Sequence, residues 1–127
     1  MLSRIAAYTF SAMALLAVAF HMALALGVPW AELSWGGKYS GRLPGPMRVA
    51  SVASAGILIV LALVVLIRAD ILLPRWHSLS QKVIWVVVAY CGVAVLAHTF
   101  TPSKWERIVW LPVVIILFIT GLLVATR

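Results

Sequence analysis

Met47 to Ile67 reads MRVASVASAGILIVLALVVLI, and after Arg48 it holds no charged residue. Crossing about 30 Å of hydrocarbon takes about 20 mostly apolar residues, so this run is long enough to span a bilayer as a helix. Three more runs qualify on either side of it: Ile5 to Gly27, Lys82 to Phe100 and Glu106 to Thr126. The chain is 127 residues long, 65% hydrophobic and only 10% charged. Soluble domains are about a quarter charged and could not hide so much apolar surface, so lipid is expected to solvate much of it. The predicted fold is all-α, an integral membrane four-helix bundle with antiparallel neighbours, formed as one domain over residues 1–127.

The polar links carry start and stop signals. Pro46 suits the start of the second span, where a missing N–H is harmless. Ser78 with Gln81, and Ser103 with Glu106, match the capping-box spacing ahead of the third and fourth spans. Pro112 falls inside the fourth and is expected to bend it. Small residues mark the faces where helices can approach closely: Ala7, Ser11 and Ala14; Ala50, Ser51, Ser54 and Ala55; Ala89, Gly92 and Ala97; Gly121 and Ala125. Arg4, the following apolar run and Ala23-Leu24-Ala25 imitate a secretory signal peptide. The expectation is that this segment stays as the first span.

The net charge of +7 does not indicate a nucleic-acid partner, because the basic residues stand singly between apolar runs rather than in a stripe. They fit span flanks better. Arg4, Arg68, Arg75, Lys82 and Arg127 fall on the side of the termini, and Lys38, Arg42, Arg48, Lys104 and Arg107 on the other. This even division gives no orientation by count. Arg4 just ahead of the first span favours both termini in the cytoplasm. Cys91 is the sole cysteine, so no disulfide forms within the chain.

The longest polar interruption is Val28 to Arg48, VPWAELSWGGKYSGRLPGPMR. It holds Trp30 and Trp35, the pair Gly36-Gly37 and the acid Glu32. The first and third spans run the same way, so their ends meet this loop. His21 then lies about 9 Å and His98 about 3 Å inside the same leaflet, at 1.5 Å per residue. Glu106 starts the fourth span on that side. Ionisable groups within spans are costly and usually face the bundle interior or a water-filled cavity. His21, Glu32, Trp35, Arg42, Arg48, His98 and Glu106 are therefore the candidate polar pocket, with the loop as its lid. The other five tryptophans are read as head-group anchors near span ends.

No catalytic set is legible. The acids are too few for a Ser–His–Asp arrangement. His-x-x-His, paired Cys and Glu-x-x-His are all absent, so no metal site is predicted. No cofactor is required, and haem or a metal held by His21 and His98 is the one cofactor option left open. In size and span count the chain resembles small multidrug transporters. It lacks the acid in the first span that the resemblance would need. Quinone-linked disulfide-generating proteins need paired cysteines, and respiratory anchor subunits carry His-Arg-Pro or Ser-x-x-His-Arg patterns that are missing here.

Through His21, the Trp35-Gly36-Gly37 loop and Leu43-Pro44, the first third of the chain resembles uncharacterised small four-helix bacterial membrane proteins. The resemblance implies a bacterial cytoplasmic (inner) membrane and carries no activity. Two function classes follow. One is a non-catalytic role, as an accessory or interaction subunit of a larger membrane-protein complex, a homo-oligomer, or a binder of a lipid or small hydrophobic ligand. The other is a membrane enzyme or transporter-like protein with a cofactor or proton site around His21 and His98, or with Arg42 and Arg48 gripping an anionic head group.

Overall fold

Every apolar run in the sequence becomes a helix in the computed structural model, which describes residues 1–127. The helices are α1 (Leu2–Ala25), α2 (Gly45–Arg68), α3 (His77–Thr99) and α4 (Lys104–Thr126), and there are no strands. All four are long and apolar enough to cross a membrane. Short 3-10 turns at Ala31–Leu33, Trp35–Gly37 and Pro74–Trp76 occupy the links. The fold is a helical bundle in which α1 packs on α2 and α4, and α3 on α4 and α2.

Only 31 of the 127 residues are buried, although the chain is mostly apolar. Leu15, Leu16, Ile59, Val60, Val86, Val93 and Ile119 all lie on the outside. Such a surface suits hydrocarbon and not water. The core is a set of stripes at helical spacing. On α1 it is Ala6, Ala7, Phe10, Ala14, Ala17, Phe20 and Leu24, and on α4 it is Trp110, Val114, Leu117, Gly121 and Val124. These two stripes run in opposite directions. Phe20 stacks on Trp110 with ring centroids 4.6 Å apart, while Phe10 lies against Gly121. A side chain at Gly121 would come within 3.4 Å of the Phe10 ring, so the glycine sets how closely α1 and α4 approach.

Several sequence expectations change. α3 starts at His77, five residues earlier than Lys82. Ser78 therefore lies in the first turn, and no side chain caps this helix. Gln81 instead donates to His77 Nε2 at 3.3 Å, one turn back. Asp70, placed just past α2, meets His77 Nδ1 at 2.9 Å. Of the small residues of α3, only Gly92 lies against a neighbouring helix, at the Phe118 ring of α4; Ala89 and Ala97 are exposed, while Ser80, Ile84, Val87, Val88 and Cys91 are buried. α3 buries nothing beyond Cys91 although it continues to Thr99. Its last two turns are only half-buried, at Gly92, Ala94, Val95 and His98, and the candidate site opens beside them. Pro112 lies inside α4, as expected.

Candidate functional site

The opening loop is pinned to the start of α4. Ser103 caps α4 by accepting from the Glu106 N–H at 3.1 Å, which is half of the expected capping box. In the other half Glu106 would reach back to the Ser103 N–H. That N–H donates instead to Thr101 Oγ1 at 3.3 Å. Glu106 is thereby released, and its Oε2 accepts from the Gly36 N–H at 3.3 Å, seventy residues away in sequence. Ser103 Oγ donates to the Glu32 carbonyl at 2.8 Å, a second tie between loop and helix. The loop closes on itself where the Ala31 N–H donates to the Gly41 carbonyl at 3.0 Å.

Trp35, Gly36 and Gly37 all have positive φ, at 53°, 69° and 72°. Glycine takes this conformation freely, whereas tryptophan in the left-handed region stores about 1–3 kcal/mol. Gly37 is constrained twice over, because a Cβ there would meet Ser103 Cβ at 2.9 Å. The turn places the Trp35 ring edge-on to His21, with centroids 6.4 Å apart.

Beneath the turn, beside the last turns of α3, lies a cavity of about 510 Å³. Fifteen of its 23 lining residues are hydrophobic, among them Leu58, Leu61, Ala94, Val113 and Leu117. The polar groups gather near the loop: His21 from α1, Trp35 from the turn, His98 from α3, and Glu106 and Trp110 from α4. A volume of this size with apolar walls and few polar groups matches small-molecule sites in general.

Each polar group has a definable hydrogen-bonding capacity. His98 Nδ1 donates to the Ala94 carbonyl at 2.8 Å, so in the neutral ring Nε2 is the acceptor. His21 Nδ1 and the Trp110 indole N–H are buried with no hydrogen-bond partner. Buried polar atoms without partners are rare and costly, at about 1–3 kcal/mol each. Glu106 is only 6% exposed, and its contact with Gly36 is its one side-chain hydrogen bond.

Of the residues singled out from sequence, the cavity brings together His21, Trp35, His98 and Glu106. Glu32 lies outside it, in a shallow polar recess with Lys38 and Lys104. Arg42 and Arg48 flank Gly27 away from the cavity, and Arg48 Nε is committed to the Leu43 carbonyl at 3.0 Å. Trp110, read from sequence as a head-group anchor, is buried in the core. Its spacing carried the signal, since Glu106, Trp110 and Val114 fall at i, i+4 and i+8 on one helix face. No three His, Cys, Asp or Glu side chains converge where they could hold a metal ion. Comparison of the chain with protein-family models, curated proteins and solved structures finds no match.

Proposed function

We propose that this chain is a non-catalytic integral membrane protein that binds a single amphipathic small molecule. The ligand's apolar body lies between α2, α3 and α4, and its polar end sits under the Trp35 turn. The observation that carries this reading is the cavity itself: a mostly apolar cleft whose loop end gathers His21, His98 and Glu106. α2 and α3 make the thinnest of the four ring contacts. Access from the bilayer is placed there, past Ser54 and Ala94. We place the protein in a bacterial cytoplasmic membrane with both termini inside, which a reporter fused at Arg127 tests by its activity on one side only.

The ligand reading is tested by native mass spectrometry of protein purified in mild detergent. One small hydrophobic molecule per chain is expected to be retained. Ala94→Trp, which fills existing space, should fold normally and lose it. Protein that carries no such molecule and shows no difference between wild type and Ala94→Trp would sink the reading. A second reading, a proton-handling site, is favoured by one observation: His21 and His98 line the same cavity. It requires His98→Gln to abolish a proton-coupled activity while ligand retention persists.

A further inference from the structure

Resting on the ligand-binding reading, we infer that the occupant's polar end is a protonated amine, so that the site takes a lipophilic monocation. Glu106 carries the argument. It is buried, and of the two recesses at this end it lines the apolar cavity and not the outer one. It stands in the first turn of α4, where the helix dipole favours a negative side chain. Its Oε2 accepts from the Gly36 N–H, and its Oε1 accepts nothing from the protein. The sealed polar atoms without a partner are Ser11 Oγ, His21 Nδ1, Ser51 Oγ, Arg68 Nε and Trp110 Nε1. Glu106 Oε1 is not among them, so a molecule in the cavity can reach it.

No cation of the protein answers this carboxylate. No lysine or arginine lines the cavity. Arg107, the next residue, donates to the Thr101 carbonyl at 2.9 Å, and Lys38 and Lys104 lie in the outer recess with Glu32. His21 and His98 share the cavity but form no ion pair with Glu106; the one ion pair of the chain joins Asp70 and His77. A buried charge is costly unless it is paired and hydrogen-bonded. An anionic head would add a second negative charge beside the first. A hydroxyl head would give Oε1 a hydrogen bond and leave the charge unbalanced. An ammonium head supplies N–H donors and the countercharge together, and apolar walls strengthen such a pair. His98 Nε2, the acceptor of the neutral ring, offers the same cavity a second place for an N–H.

The test uses three probes of equal chain length that differ in the head: oleylamine, oleyl alcohol and oleic acid. Each is titrated into the full-length protein in non-ionic detergent at neutral pH and counted by native mass spectrometry. Oleylamine is expected to bind at least about tenfold more tightly than the other two. Glu106→Gln removes the charge and keeps an oxygen for the Gly36 N–H. It should weaken oleylamine about tenfold and change oleyl alcohol by less than about threefold. Ala94→Trp should abolish oleylamine binding, which separates the cavity from the outer surface. Should Glu106→Gln fail to fold, the wild-type ranking decides. Oleyl alcohol or oleic acid binding as tightly as oleylamine overturns the inference, and so does a preference for oleylamine that persists in Glu106→Gln. Either result leaves the ligand-binding reading standing if Ala94→Trp removes the bound probe. If no probe binds, the inference falls. The reading falls with it when wild type and Ala94→Trp also purify with no difference in retained molecule.

Discussion

The two ends of this bundle are built from similar residue types and come out opposite. At the end holding the termini, Ala6, Ala7, Phe10 and Val124 are all but sealed, and Gly121 lets α4 close onto α1. At the loop end α3 is no more than half-buried after Cys91, and a cavity opens beside it. The closed end shows what this sequence does when nothing but packing is at stake. The open end buries an acid, Glu106, and the closed end buries none. Folding alone gains nothing from burying Glu106, and natural folds tend to break their own rules at functional sites.

The sharpest way to break the contrast is to hollow out the closed end. Phe10→Ala should cost about 3–5 kcal/mol, measured as chemical unfolding in detergent, because a fully buried aromatic is lost from a site that cannot collapse. Ala94→Trp at the open end should cost little, since it enters space already present. If the two variants are equally destabilised, the cavity is not an open space in solution.

Next in size is the turn over the cavity. Gly37→Ala should cost about 1–3 kcal/mol, from positive φ and from the clash with Ser103. Ligand retention should fall with it, because the Trp35 ring is set by this turn. Trp35→Gly separates the two effects. It relieves left-handed strain worth about 1–2 kcal/mol while removing the ring, so stability should hold or rise as retention drops.

The two ends also differ in how far they could be read from sequence. The four helices were legible because apolar run length is a direct physical requirement for crossing hydrocarbon. The meeting of His21 and His98 under the loop followed from counting span directions. The closure of that loop did not. Ser103 and Glu106 matched a local cap, and the structure uses only half of it and sends the Glu106 carboxylate to Gly36. Sequence spacing carries local hydrogen bonds and not one that spans seventy residues. Trp110 was misread because tryptophan near a span end usually anchors in head groups. The packing face of α3 was read only in part, since small residues mark where helices can approach: Gly92 lies against Phe118, but most of the face is Ile84, Val87 and Val88.

The smallest expected effect lies on the closed side, at the polar link joining α2 and α3. His77 donates to Asp70 at 2.9 Å, and Asp70 is 72% exposed. Exposed pairs contribute about 0–1 kcal/mol, so Asp70→Asn should shift unfolding by less than about 1 kcal/mol. Asparagine keeps an oxygen for the His77 N–H and tolerates positive φ, which Asp70 adopts at 62°. Asp70→Val removes the acceptor and puts a β-branched residue at that backbone angle, so it should cost more than Asp70→Asn. Neither variant should alter ligand retention, because Asp70 and His77 lie at the opposite end from the cavity. A loss of retention in Asp70→Asn would mean that the two ends are coupled through α3, and the division between a packing end and a binding end would have to be given up.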